Sequence, residues 1–382
     1  MNAENSLTPF SFHGRTRIEF GPGSIAGLGS LIPGGCRRVL VVTDPGVAKA
    51  GHAAHALDSI ERAGLEARCF DGVVENPTDA CVARGVEAAR AAGAEAVAAV
   101  GGGSAMDCAK SVALLITNGG EIADYRGHGK VKRPILPLFV VPTTAGTGSE
   151  VQSAALITAS KTGEKMLIKD PHVAPLAAVL DPELTLTLPP TVTAATGIDA
   201  ITHAVESFVS TKANALSRAF AAAAFRHLRA AFPKVLDRPD DLGARGAMLV
   251  GASLAGLSIE SSMLGAAHSA ANPLTHCYGI THGVAVGLLL PHVVRFNAEE
   301  PRAAAAYGEL TGRPARDAAR GLASDIEVLL DRARLPARLA ALGIARELLS
   351  ELADEAAGQW TAGFNPRPVR AHDFLEIYQC AF

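Results

Sequence analysis

The feature that most constrains this chain is a change of character near residue 185. Before it, residues 38–43 (RVLVVT), 96–100 (AVAAV) and 135–141 (ILPLFVV) are short apolar runs rich in β-branched residues, and each ends in a polar, glycine- or proline-containing turn. A strand covered on both faces reads as such a continuous run, and strands that alternate with helices build a parallel sheet. Residues 67–70 are a further, shorter strand candidate, and helical spacing appears at 51–63, 79–92 and 105–116. Beyond Leu180-Asp181-Pro182 the strand signal fades. Ala- and Leu-rich stretches of helical spacing take over at 191–210, 213–231, 243–257, 315–332 and 346–357. The expectation is an α/β domain with a parallel sheet over residues 1–185 and an all-α domain over 186–382, with no repeat of fixed period and no low-complexity linker between them.

Composition narrows the classes of function. The chain is 48% hydrophobic and 19% charged, enough apolar residue to fill two cores, and its formal charge is −3. That balance has no surplus of Lys and Arg to neutralise nucleic-acid phosphates. The first twelve residues lack the basic start and apolar centre of a secretory signal, and apolar runs such as 112–117 and 284–291 fall well short of the ~20 residues of a membrane span. The six cysteines form no Cys-x-x-Cys pair and read as thiols in a reducing cytoplasm.

Two turns in the first half suit a phosphate-bearing ligand. Gly101-Gly102-Gly103-Ser104 sits where a strand passes into a helix, so bare backbone and the helix N-terminus face the same space. It does not fit G-x-G-x-x-G, and alone it is equally an ordinary tight turn. Pro142-Thr143-Thr144-Ala145-Gly146-Thr147-Gly148-Ser149-Glu150 follows another buried strand and carries four hydroxyls and two glycines, suited to phosphate and ribose contacts or simply to a capped loop. Asp44 ends the first strong strand. Its carboxylate can accept from a ribose diol and would repel a 2′-phosphate, favouring NAD over NADP; the alternative is a helix cap before Pro45-Gly46. Together these features make the first half a candidate dinucleotide-binding domain.

The second half carries metal-ligand chemistry. Asp199 and His203 are four residues apart, on one face of a helix. Such a pair alone is more often a surface hydrogen bond. His268, after Leu264-Gly265-Ala266-Ala267, and His282, in Ile280-Thr281-His282-Gly283, lie in apolar surroundings where an imidazole needs a partner. Pro273 and Gly279 are expected to break the chain between them. One Asp and three His leave one net positive charge on a divalent ion and room for a substrate oxygen, which suits iron(II) first and zinc second.

These pieces occur in a specific order. GGGSAMDCAK (101–110), PTTAGTGSEV (142–151), LDPELTLTLP (180–189), GIDAITHAVESFVS (197–210), His268, the THG around His282, LLPHVVRFN (289–297) and NPRPV (365–369) together resemble the iron-containing, or group III, alcohol dehydrogenases, from about Phe10 to the end. The resemblance implies a dinucleotide-binding α/β domain and a helical domain, an architecture shared with dehydroquinate synthase. It implies metal ligands at Asp199, His203, His268 and His282, and NAD contacts at Asp44, Asn76, Gly102, Gly103, Ser104, Thr143, Thr144, Thr147 and Lys165. It also implies a small alcohol or carbonyl substrate and a homodimer or larger homo-oligomer. Hydride transfer between that substrate and NAD, beside a metal that lowers the pKa of the alcohol, is the implied chemistry, with His282 at the reacting centre.

One departure matters. Family members often carry a second histidine four residues after the one matching His268; here that position is Asn272, and an amide cannot relay a proton at neutral pH. His276, one turn further on, is the substitute candidate, against the reading that it is a surface or packing residue. Rival readings are a maleylacetate reductase, a glycerol dehydrogenase, and a lyase or synthase that uses NAD transiently. The first and last need basic residues around the metal, yet none flanks His203 or His268 nearer than Lys212.

Overall fold

The computed structural model describes residues 9–382; the first eight, part of the stretch read above as lacking a secretory pattern, lie outside the described residues. The chain forms two compact units, His13–Leu188 and Pro189–Phe382, the latter with residues 9–12.

In the first unit, strands β1 (Arg17–Phe20), β2 (Arg38–Val42), β3 (Glu66–Phe70), β4 (Ala96–Gly101), β6 (Leu138–Pro142) and β9 (Ala177–Leu180) form a six-stranded sheet in the order β1-β9-β6-β4-β2-β3. Every pair in it is parallel. The apolar runs are continuous because alternate residues feed two cores. Leu40, Val42, Val97, Ala99 and Val140 pack on one face, beneath α4 (Asp79–Ala91) and α5 (Gly103–Asn118). Val39, Val41, Ala98, Val100 and Phe139 pack on the other with Leu28 of α1 (Leu28–Leu31) and Ile60 of α3 (His52–Arg62). The chain runs from β2 outward to β3, then returns to place β4 on the opposite side of β2. Such a reversal opens a crevice at the carboxyl ends of β2 and β4, where ligands bind in open α/β sheets.

A second sheet, β5 (Gly127–His128), β8 (Lys165–Lys169) and β7 (Ala154–Thr158), was not expected from the sequence, and its β7–β8 pair is antiparallel. Its strands β7 and β8 alternate buried residues with mostly half-buried ones, a weaker pattern than a continuous run.

The second unit is helical: α6 (Pro190–Val209), α7 (Ala215–Asp237), α8 (Leu242–Ser261), α9 (Ala266–Tyr278), α10 (His282–Asn297), α11 (Pro301–Thr311), α12 (Ala315–Arg332), α13 (Leu349–Ala357) and α14 (Ala371–Ala381), with the short α2 (Pro45–Lys49) belonging to the first unit. From Ile198 to Val209 every residue of α6 is buried, as expected of a helix apolar all round. Its polar residues are therefore held inside the unit and need partners there. Among the described residues α8 alone has the length and apolarity to cross a membrane, but 67% of its apolar window is buried, the situation of a core helix.

Pro273 does not break the chain. It lies inside α9, and only Gly279, in the left-handed conformation at φ 64°, ends that helix. Proline removes one intrahelical hydrogen bond, and the packing that buries Ala266–Ala271 and Leu274 outweighs that loss.

Candidate active site

In the helical unit, α6 carries Asp199, His203 and Glu206 at i, i+4 and i+7, one buried face. His268 is the third residue of α9 and His282 the first of α10. Gly283 lets α10 begin flush against α6, where a Cβ would collide with the Ala195 carbonyl. Ligand-type atoms of Asp199, His268 and His282 all lie within 4.8 Å of one another. His203 joins this group at the side: its Nε2 is 3.6 Å from Asp199 Oδ1, and its ring stacks on that of His268 at 4.9 Å between centroids.

The donor set fits a metal ion. Asp199 Oδ1 and His268 Nε2 are buried, have no hydrogen-bond partner and face each other at 3.5 Å. Two buried lone-pair atoms so placed require a proton or a cation between them. Burial alone would raise the Asp199 pKa, but the imidazoles of His203, His268 and His282 hold it well below the usual carboxylate range. Burial likewise would lower the His268 pKa, yet the Glu206 and Asp199 carboxylates raise it to about 9.

Glu206 was not singled out as a site residue from the sequence. Its Oε2 accepts from His268 Nδ1 at 2.5 Å and its Oε1 accepts from the Ala267 amide at 2.7 Å. The available signal was its spacing from Asp199 and His203 within one apolar helix.

Asn272 lies one turn beyond His268, half-buried, and its amide donates to Gln359 Oε1 at 3.1 Å. His276 is exposed in the last turn of α9 and is not brought into the cluster. His282 Nδ1 lies 3.4 Å from Thr275 Oγ1, and its ring centroid is 5.4 Å from that of His268.

In the α/β unit, Asp44, the Gly101–Ser104 turn and Thr143-Thr144 follow the carboxyl ends of the adjacent strands β2, β4 and β6. Asp44 caps α2, its Oδ1 accepting from the amides of Gly46 and Val47. Its Oδ2 points toward Gly101, so the cap and a ribose-facing oxygen are compatible. Gly101 has φ 152°, and a Cβ there would sit 2.7 Å from that of Ala105. A Cβ at Gly102 would lie 3.2 Å from Thr144 Oγ1, and one at Gly103 2.8 Å from Thr147 Cγ2. The two ligand-type turns thus lie against each other, with little room for a Cβ at the seam. Gly102 caps α5 without a side-chain bond, leaving backbone amides for an anion. Asn76, with φ 50°, donates its backbone N–H to Ser104 Oγ at 3.3 Å. Lys165 opens β8, where its charge acts on Asp107.

Asp199, His268 and His282 thus converge as three candidate ligands around an orphaned pair of atoms, on the helical face whose motif prompted the resemblance. The chain matches the family model "Iron-containing alcohol dehydrogenase" over residues 15–182 and "Fe-containing alcohol dehydrogenase family, C-terminal" over residues 193–382. It belongs to the iron-containing alcohol dehydrogenase family. This member is 38% identical over 365 residues to alcohol dehydrogenase 4 of Schizosaccharomyces pombe, covering 95% of this chain and 86% of that one. Its fold is similar to that of a 1,3-propanediol oxidoreductase, with a TM-score of 0.93 at 33% identity over 98% of this chain and 100% of the other. It is also similar to sulfoacetaldehyde reductase of Bifidobacterium kashiwanohense, a structure in complex with NAD+, with a TM-score of 0.90 at 29% identity over 98% and 99%. This family member is an oxidoreductase of the iron-type alcohol dehydrogenase class.

Proposed function

We propose that this alcohol dehydrogenase interconverts a small alcohol and its aldehyde or ketone using NAD(H), with one divalent ion held by Asp199, His203, His268 and His282. The orphaned, buried pair of Asp199 Oδ1 and His268 Nε2 carries the reading. When bound, the ion supplies a Lewis acid for the substrate oxygen, and the dinucleotide supplies or accepts the hydride. Iron(II) is the first candidate and zinc the second, since one carboxylate and three imidazoles suit both.

The chain's own residues provide placement. The amides at the start of α5 and the bare backbone of Gly102 and Gly103 cradle the pyrophosphate. Ser104, Thr143, Thr144 and Thr147 offer hydroxyls, Asn76 lies against Ser104, Lys165 would add a positive charge, and Asp44 Oδ2 would accept from the adenosine ribose. Asn272, tied to Gln359, orients substrate or nicotinamide ribose, and the proton leaves through water. We place the enzyme in a reducing cytoplasm, supported by six unpaired cysteines, and as a homodimer or larger.

The test is anaerobic loading with iron(II) or zinc, followed by a panel of alcohols and aldehydes read at the NADH absorbance. Net NADH production or consumption is expected with a small alcohol or aldehyde; a chain that binds NAD without net turnover would instead be a transient-NAD lyase or synthase. His268→Ala should lose metal and turnover while keeping NADH binding. Full metal occupancy in that variant removes His268 from the ligand set.

A further inference from the structure

Helix α9 begins without a local cap. Its N-cap is Gly265, and no side chain of its own segment satisfies its first amides. Two remote side chains do so instead. The Ala266 amide donates to Asn365 Oδ1 at 3.2 Å and the Ala267 amide to Glu206 Oε1 at 2.7 Å. Gly265 permits their approach, since a Cβ there would lie 2.9 Å from Asn365 Oδ1 and 3.2 Å from Glu206 Oε1. Asn365 is fixed in turn: its amide donates to Asn297 Oδ1 at 2.6 Å and to the Arg367 carbonyl at 2.7 Å, and Asn297 ends α10. The same Glu206 that holds the helix start also accepts from His268 Nδ1 through its other oxygen.

We propose that Glu206 is a positioning residue that, with Asn365, clamps the start of α9 and holds the His268 proton on Nδ1, so that Nε2 is the nitrogen presented to the metal. The inference rests on the metal-site reading above. An ionised carboxylate only accepts hydrogen bonds, so the nitrogen facing Glu206 must carry hydrogen. The neutral ring then has its lone pair on Nε2, the partnerless atom 3.5 Å from Asp199 Oδ1. Both Glu206 oxygens are committed, one to the backbone that carries His268 and one to its ring. Orientation of the helix and choice of tautomer are therefore set by one buried side chain, only 4% exposed. Asn365 holds only backbone and amide groups, so it fixes the position of α9 without influencing the tautomer.

Glu206→Gln separates these roles. A glutamine can still accept from one donor, but its amide must then face the other. Against Nδ1 the amide forces the ring hydrogen onto Nε2, where it occupies the ligand position; against Ala267 it opposes an N–H. The experiment is zinc affinity of the purified full chain by competition with a chromophoric chelator, alongside NADH affinity and thermal unfolding. Zinc affinity of Glu206→Gln should fall roughly 10–100-fold, the usual effect of losing such an outer partner. NADH affinity should hold within about twofold. Glu206→Asp, which keeps the charge but reaches only one donor, should fall between wild type and Glu206→Gln. In the zinc-loaded wild type, histidine-labelled NMR should show a slowly exchanging His268 ring N–H on Nδ1; zinc bound through Nδ1 instead would overturn the tautomer assignment. If wild type binds zinc and Glu206→Gln binds it as tightly, the positioning role is wrong and the metal site stands. If wild type binds neither zinc nor iron(II), the metal-site reading falls and takes this inference with it.

Discussion

Lys110 Nζ donates to both the carbonyl and the hydroxyl of Ser149, each at 2.7 Å. Its third bond goes to the Ala154 carbonyl at 2.7 Å, and the lysine is completely buried. Asp107 lies 3.9 Å away and accepts from Ser149 Oγ and the Leu156 amide. The GGGS helix and the segment following the TTAGTGS turn are thus joined through one ammonium. Lys110→Met leaves three acceptors without their donor and Asp107 without its nearby cation, so unfolding should be easier by on the order of 1–3 kcal/mol, with NADH affinity reduced. Differential scanning calorimetry and NADH fluorescence titration check both; an unchanged Tm would mean the network contributes nothing.

Asp44 caps α2, and one substitution can separate that cap from the proposed discrimination against a 2′-phosphate. Asp44→Asn keeps a good N-cap, so Tm should stay near wild type, while losing the charge that repels a 2′-phosphate. The preference for NAD over NADP, measured as a ratio of kcat/KM values, should narrow by about 1–3 kcal/mol. Asp44→Gly should narrow the preference similarly and cost at most a few tenths of a kcal/mol from the cap. A wild-type enzyme that prefers NADP would overturn the assignment.

The metal-free protein should have an unusual pH dependence. The His268 pKa is raised to about 9 from an ordinary 6.5, so its stabilising contribution is complete below pH 6.5 and lost as pH rises through 9. Asp199 is depressed, so its contribution is present above the ordinary carboxylate range and lost only in acid. Between pH 6.5 and 9 the metal-free chain should lose on the order of 3 kcal/mol, a slope that His268→Ala removes. Metal binding needs an unprotonated Nε2, so the Tm difference between loaded and metal-free protein should grow over the same range. A flat metal-free profile would contradict the site's electrostatics.

His276 follows His268 by eight residues, about 12 Å along a helix, and is exposed. His276→Ala should therefore change turnover less than about twofold, whereas loss of a true acid–base relay costs about 10²–10⁴-fold. Asn272→His tests the other side of the departure. Because Asn272 is already bonded to Gln359, the new ring should weaken substrate binding, read as a raised KM, rather than add rate. A gain in kcat at neutral pH would show an intact proton path.

Much of the architecture could be read directly. The runs that became β2, β4 and β6 are legible because a strand covered on both faces cannot alternate with polar residues, and α12 is legible from its apolar stripe. The β7–β8 pair was not, since its alternation is short and each strand is half-exposed. Pro273 misled because a local rule about proline yields to tertiary packing around α9.

The sequence by itself determined the α/β-then-helical architecture, the glycine and hydroxyl turns, and the Asp199–His203 spacing, because each is written in residues a few positions apart. Only the tertiary structure decided which strand lies beside which, that the two turns meet at bare glycines, that Asp199 and His268 face each other without partners, and that Glu206 reaches a histidine 62 residues away. Those relationships depend on close packing between distant segments, and the spacing of residues along a chain does not encode distance across a core.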